Sequence, residues 1–471
     1  VRPAITEHDV AVIGAGVVGC AIARRLERAG LDVVLLDARG DVGDGTSKAN
    51  TAILHTGFDT VPGSLESTLV TTGYKLLAEH AASAGIAVEP CGALLVAWDE
   101  EQDAALGDIR DKAIANGYLD AAIIDADEVV RREPHLGPGS RRGLEIPGES
   151  IIDPWSVSLS FAIEALRGGA TIALGREVRG VEAVGDVHQL LLDDGATLRA
   201  RWTINVGGLR SDEIHRMFGH HSFTVTPRRG QLLVFDKLAR PLLNEILLPV
   251  PTERTKGVLV SPTVFGNVLL GPTAEDLDDI GDTASTEDGI AALLDAGRRV
   301  LPALLSEEVT AIYAGLRAAT EHRDFQIESH PSERYVCVGG IRSTGLTASM
   351  AIAEHVAGLL AVAGESTEHG RELDATIVMP PLGETQRRPA RDAALIERNP
   401  AYGRIVCHCE QVSAGEVFDA LRSELPPSDL DGLRRRTRAC NGRCQGFYCS
   451  TEILALADAA GLDLDPLGWS R

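Results

Sequence analysis

DVAVIGAGVVGCAIARRLERAGLDVVLLD, residues 9–37, decides the fold. Asp9–Ile13 is an apolar run, GAGVVG follows at 14–19, a helical pattern runs to Arg28, and Leu31–Leu36 reads as a second strand closed by Asp37. In this G-x-G-x-x-G, Gly14 makes the tight turn, Gly16 lets the backbone approach a pyrophosphate and Gly19 allows close helix–strand packing. The helix N-terminus offers free N–H groups to phosphates. Asp37, 23 positions after Gly14, is placed to accept hydrogen bonds from a ribose diol. A glycine-rich turn alone arises by chance; strand, helix, second strand and terminal acid together predict a doubly wound α/β domain that binds a dinucleotide.

Two more buried-type strands, Trp202–Val206 and Tyr335–Val338, end in Gly207-Gly208 and Gly339-Gly340, where an open α/β sheet presents its ligand loops. The motif itself does not separate NAD from FAD. Its place near the start, with the loop GGIRSTGLT (339–347) returning more than 300 residues later, favours FAD. That loop opens a helix from Thr347 to Leu360, whose N–H groups and dipole suit negative charge at the flavin N1–C2=O edge; the alternative is a plain strand–helix turn. Short strand-like segments at 92–99, 231–236, 245–250, 257–262 and 267–272 suit an antiparallel sheet. They predict a substrate domain of residues 76–149 and 216–324, woven into an FAD-binding domain of residues 1–75, 150–215 and 325–375. Residues 376–400 read as a linker or strap, and 401–471 as a small C-terminal domain.

That last domain carries Cys407-x-Cys409, a gap of 34 residues, and Cys444-x4-Cys449. Gathered thiolates bind a soft metal centre. Zinc is the rival to iron–sulfur, but zinc sites usually pair C-x2-C with C-x2-C, which these spacings fit poorly. Five of the eight cysteines lie after residue 406, a distribution unlike a disulfide-rich secreted protein. Cys20, Cys91 and Cys337 read as core residues. At 471 residues and a net charge of −23, the chain is long enough for two or three domains and poorly suited to nucleic acid or anionic lipid. The longest apolar region, 345–365, is broken by Glu354 and His355 and reads as an amphipathic helix, so no transmembrane segment is expected. No signal-peptide pattern precedes the first strand; a cytoplasmic location is expected, with peripheral membrane attachment left open.

The chain resembles the FAD-dependent oxidoreductases of the D-amino-acid oxidase and glycerol-3-phosphate dehydrogenase superfamily over most of residues 8–365. GTSKANTAILHTGFD (45–59) resembles the family's flavin-contacting segment, TINVGGLRSDEI (203–214) its Asn-Ala-Gly motif, and YAGLRAAT (313–320) its Gly-Leu-Arg segment. Arg210 and Ala318 depart from the family's usual small or aromatic residue and proline. The resemblance makes Ser47, Asn50 and Thr51 flavin neighbours, with Val178, Gly207, Gly340, Thr344, Gly345, Leu346 and Thr347 completing the cofactor-binding set. It puts His55 near the ring face as a general base; a hydrogen bond to flavin or backbone, or a covalent tether, are its other readings. It sets Arg317 over the flavin to hold a substrate anion, with Lys256 and Arg229 as further candidates.

Residues 404–449 resemble the ferredoxin-like domain named for bacterioferritin-associated ferredoxin. The match implies a 2Fe–2S cluster on Cys407, Cys409, Cys444 and Cys449. Cys440 falls where the family has Gly and is expected not to ligate, a ligand swap being the dissenting reading. The basic run Arg434, Arg435, Arg436, Arg438 and Arg443 reads as a solvated helix face offset by acids, or as compensation of cluster charge and a partner-docking patch. The function expected is a dehydrogenase that oxidises a small anionic alcohol, glycerol 3-phosphate-like or an L-2-hydroxy acid. Electrons would leave the flavin through the cluster to a quinone, a carrier protein or a further subunit. An amine dehydrogenase of the same fold, and a non-catalytic electron-transfer or iron-responsive binding protein, are the alternatives. Oligomeric state is left open.

Overall fold

The strand Thr6–Ile13 lies at the centre of an eight-stranded sheet because its residues 10–13 are apolar on both faces and both its edges find parallel partners. In this computed structural model, which describes residues 6–251, 257–368, 370, 377–462 and 464, it pairs with Thr197–Asn205 on one side and Val33–Asp37 on the other. Thr171–Leu174 extends the sheet in parallel beyond Val33–Asp37, and Tyr335–Gly339 pairs in parallel with the end of Thr197–Asn205. An antiparallel hairpin, Val178–Val184 and Val187–Leu192, and the strand Gln326–His330 complete it. The helix Val17–Arg28 packs between helices Pro154–Gly168 and Gly345–Val362, burying Ile22 and Leu26 completely. Helix Gly345–Val362 is long and apolar enough to cross a membrane; half of it is buried in this core, and Arg25 bonds its Glu354 at 2.8 Å.

A nine-stranded, mostly antiparallel sheet forms the second layer and contains all five predicted strand segments: Ala93–Val96, Val225–Phe235, Ile246–Pro249, Leu259–Pro262 and Val268–Gly271. Its longest strand, Val309–Thr320, was not among the predicted strands. Ala-Gly-Leu-Arg-Ala-Ala has little intrinsic strand preference; pairing along Val225–Phe235, with Arg228 opposite Arg317, supplies what propensity lacks. Met379 bonds the Ala84 carbonyl, and Arg388 meets Glu416 at 2.7 Å, so the segment before the C-terminal unit is tied to both of its neighbours.

The C-terminal unit has its own core, built from the short strands Ile405–Cys407 and Val412–Ser413 and helices Ala414–Leu421, Leu430–Thr437 and Ser450–Ala459. Three arginines of the basic run depart from the solvated-face reading, for Arg435, Arg436 and Arg438 are buried, whereas Arg434 is half-buried and Arg443 exposed. Arg436 forks onto Asp41 with bonds of 2.6 and 2.7 Å. Arg435 reaches Asp41 at 2.8 Å, Asp44 at 2.9 Å and Asp431 at 2.6 Å. Lys48 bridges Asp44 (2.9 Å) and Asp431 (3.0 Å) from the same loop. A side chain at Gly432 would put its Cβ 2.5 Å from Asp41 Oδ2, so glycine opens the helix face to the carboxylate. The carboxylates of the loop after Asp37 therefore draw Arg435 and Arg436 inward, while Arg438 turns to Glu410 at 3.3 Å.

Burial pushes the Asp41 carboxyl upward, but Arg436 and Arg435 outweigh it and hold the group below the usual carboxylate range. A carboxylate depressed in the folded state stabilises above its unfolded pKa, and that contribution is lost as pH falls through the folded value. Asp41→Asn leaves two buried guanidiniums short of their shared partner and is expected to cost about 3 kcal/mol. Thermal unfolding at neutral pH checks this: a lower Tm and earlier proteolysis of the C-terminal unit are expected, and an unchanged Tm contradicts it.

Candidate functional site

At the first turn, the Gly14 N–H donates to the Leu36 carbonyl at 2.7 Å, and a Cβ on Gly14 would stand 2.3 Å from the Val206 carbonyl oxygen. A Cβ on Gly19 would stand 1.8 Å from the Gly14 oxygen, so both positions require glycine. Gly16 caps helix Val17–Arg28 with no side-chain cap and no acid in the first turn. Across this bare N-terminus lies Ser47, whose Oγ accepts from the Val17 N–H at 3.0 Å. Asp37 accepts from Ala15 N–H (2.6 Å) and Arg39 N–H (2.8 Å), with lone pairs left for a diol. Burial raises its pKa, and those two N–H groups pull it back. The Arg176 N–H bonds the Asp37 carbonyl, which sets buried Val178 beside the same strand end. Gly207 N–H donates to Asn205 Oδ1 at 3.1 Å. The cradle and its unblocked N–H groups fit a dinucleotide phosphate.

The predicted flavin segment is fixed by its own side chains. Asn50 donates to the Ser47 carbonyl (2.7 Å) and accepts from Ala52 N–H (2.7 Å), holding Ala52 at φ +56 immediately after Thr51. Strand Val309–Thr320 crosses it: Tyr313 OH donates to the Asn50 carbonyl, and Thr46 Oγ1 to the Leu316 carbonyl. Thr347 is fully buried and its Oγ1 accepts from the His55 N–H at 3.0 Å, so it positions His55. Gly340 adopts φ +66, and Thr344 caps helix Gly345–Val362 at φ +56 without a side-chain bond to its N-terminus. That helix begins at Gly345-Leu346, and Leu346 packs partly on the core.

His55 has a partner that the sequence did not reveal. Glu149, fully buried, accepts from Thr56 N–H (2.7 Å) and Thr56 Oγ1 (2.8 Å) through Oε1. Its Oε2 lies 3.1 Å from His55 Nδ1, at ion-pair distance although off the line of a hydrogen bond. Burial lowers the His55 pKa, but the Glu149 carboxylate, helped by Asp59 and Glu66, outweighs it and holds the imidazole above its ordinary value. Glu149 stands in a Gly-Glu-Ser turn with no periodic or motif signal.

Arg317 is half-buried and donates to the Thr273 carbonyl at 2.7 Å; among the described residues no carboxylate forms an ion pair with it. Burial and neighbouring Arg228 lower its pKa, and Asp276, which pairs with Arg228, only partly offsets them. Arg229 is different: Glu275 (2.7 Å) and Asp282 (3.0 Å) neutralise it, which removes it from the anion-binding candidates. Lys256 lies outside the described residues.

In the C-terminal unit Cys407, Cys440 and Cys449 are buried together, while Cys409 and Cys444 contact each other. Cys440 Sγ lies 3.4 Å from Cys449 Sγ. Converging thiols with no disulfide fit an iron–sulfur cluster. Between this pocket and the flavin segment lies an aromatic bridge. Trp155 Nε1 donates to the Lys48 carbonyl at 3.1 Å, Trp155 stacks on Phe265 at 5.1 Å, and Arg438 lies 4.2 Å over Phe265. Cys20 and Cys337 are core residues, and Cys91 packs partly buried against the second core, as expected.

A family model described as FAD dependent oxidoreductase matches residues 9–359, and one described as BFD-like [2Fe-2S] binding domain matches residues 405–459. A glycerol 3-phosphate dehydrogenase of Caloramator mitchellensis is 32% identical over 459 residues, covering 97% of this chain and 95% of the relative. The dithionite-reduced L-alpha-glycerophosphate oxidase of Mycoplasma pneumoniae, solved with FAD bound, aligns with a TM-score of 0.72 at 29% identity, over 76% of this chain and 95% of that one. Human mitochondrial L-2-hydroxyglutarate dehydrogenase is 28% identical over 288 residues, 57% of this chain and 61% of the relative. With the fingerprint cradle and the thiol pocket both intact, the chain belongs to the FAD-dependent oxidoreductases of the D-amino-acid oxidase family, and it carries a C-terminal 2Fe–2S domain.

Proposed function

We propose that this oxidoreductase is a dehydrogenase of a small anionic alcohol, with glycerol 3-phosphate first among candidates. The observation that carries the reading is Arg317, a half-buried guanidinium with a carbonyl partner and no paired carboxylate, on the strand that crosses the flavin segment. A planar fork without a paired carboxylate favours a phosphate or carboxylate ligand. The full-length similarity to a glycerol 3-phosphate dehydrogenase supports the phosphate. When bound, FAD supplies a two-electron acceptor for the substrate hydride and the cluster a one-electron outlet.

The residues then divide the work. Arg317 holds the anion and orients the alcohol. His55, with Nδ1 turned to Glu149, keeps Nε2 as the acceptor of the hydroxyl proton. Glu149 stabilises the imidazolium that forms, and Thr56 and Thr347 fix the pair in place. Ser47, Asn50, Thr51 and the turn glycines hold the cofactor, as does the helix end at Thr344–Thr347. Cys407, Cys409, Cys444 and Cys449 hold the cluster. The acceptor is a non-oxygen one, a quinone or a second protein; Phe447 and Tyr448, 85% and 79% exposed between Cys444 and Cys449, give it an apolar edge to approach.

Anaerobic titration tests the substrate class: glycerol 3-phosphate is expected to bleach the flavin, with L-2-hydroxyglutarate and a panel of amino acids as competitors. Bleaching by amino acids alone, or by none of these, overturns the reading. Arg317→Lys is expected to raise KM roughly 10- to 100-fold by losing the fork while sparing kcat more. His55→Ala should lower kcat by about 10²–10⁴-fold. A base works when neutral, so a raised His55 pKa sets the acidic limb of kcat/KM above the ordinary histidine range. Glu149→Gln removes the charge that raises it, and the limb should move to lower pH. An unmoved limb shows that another group is the base.

A further inference from the structure

Two irons in a 2Fe–2S cluster take two thiolates each. The C-terminal pocket gathers five thiols, Cys407, Cys409, Cys440, Cys444 and Cys449, one more than four ligands require. Cys440 Sγ lies 3.4 Å from Cys449 Sγ. One of the five thiols is therefore surplus.

The surplus thiol is built in. Cys440 is 1% exposed, and its backbone is left-handed at φ +64, a conformation costly for any residue with a Cβ. Glycine would occupy it without strain. Three contacts keep the residue there. Arg434 donates to the Cys440 carbonyl at 2.8 Å, the Cys440 N–H faces the Cys407 sulfur, and Gly446 leaves the space that Cys440 Sγ fills, since a Cβ there would be 3.2 Å away. The side chain thus points at a ligand sulfur from a position held by its neighbours.

We propose that Cys440 is a reserve thiolate that can replace Cys449 on the cluster. The exchange breaks one iron–sulfur bond, to Cys449, and forms one, to Cys440. Cys440 gives up its thiol proton and the released Cys449 thiolate takes one up, so no electron moves and no oxidant is needed. The 3.4 Å separation is within reach of side-chain rotation, which leaves the other three ligands in place. The inference rests on the assignment of Cys407, Cys409, Cys444 and Cys449 as resident ligands.

The test uses the full chain purified without air, read by iron content and by the electron paramagnetic resonance spectrum after dithionite reduction. FAD content reports that each variant is folded. Wild type and C440A should both carry about two irons per chain and give the same spectrum. C449A should keep most of its iron with a changed spectrum, because Cys440 has taken the vacated position. C440A/C449A should lose at least about three-quarters of its iron while keeping FAD. Iron loss in C449A as complete as in the double variant overturns the proposal. Iron loss in C440A alone also overturns it, by making Cys440 a resident ligand. A wild-type protein without iron fails the four-ligand assignment itself, which separates that failure from failure of the reserve role.

Discussion

The buried contact between Asp41 and the paired arginines 435 and 436 is the constraint on which the arrangement depends. Asp41 follows the acid that ends the second strand of the dinucleotide fold and precedes the segment that carries Ser47, Asn50 and His55. Tying it to helix Leu430–Thr437 fixes one loop between two units. A buried carboxylate shared by one forked guanidinium and a second beside it is stable only when every partner is present. Lys48, Asp44 and Asp431 extend the network along the same seam, and Trp155, bonded to the Lys48 carbonyl, adds a stack with Phe265 and Arg438. The cysteine unit therefore meets the segment that carries Ser47 and Asn50 at a defined place.

The candidate site shows two opposite solutions to the cost of burying charge. His55 and Glu149 compensate each other, and Thr56 satisfies the carboxylate oxygen that faces away. Arg317 is left with a carbonyl. A pair that is complete within the protein suits a group that must exchange a proton and return to its starting state. A guanidinium left short of a counter-charge suits a site whose counter-charge arrives with the ligand. Arg229, one position from Arg228 on the neighbouring strand, was an equal candidate in sequence and differs only because Glu275 and Asp282 fold onto it.

Much of the fold was legible because its signals are local. The fingerprint needs glycine at 14 and 19 for reasons within one turn, and the inserted strands announce themselves by short apolar runs between turn residues. Strand Val309–Thr320 was not legible as a strand, since its alanines favour no strand and its register comes from a partner about eighty positions earlier. Glu149 and Asp41 were missed for the same kind of reason. An acid in a loop carries no mark of burial, and each gains its role only when a distant residue is folded against it. Arg435 and Arg436 were misread as solvated because helical charge usually faces water; here the carboxylate they share comes from a loop almost four hundred positions away.

The central claim is that one chain takes electrons from an anionic alcohol and passes them to its own cluster. The most direct measurement is anaerobic rapid mixing of the purified, fully loaded chain with glycerol 3-phosphate, following flavin absorbance together with the paramagnetic signal of the reduced cluster. Flavin bleaching followed by appearance of the cluster signal, with no other protein present, is the predicted result. Flavin that bleaches while the cluster stays oxidised, or that does not bleach at all, contradicts it.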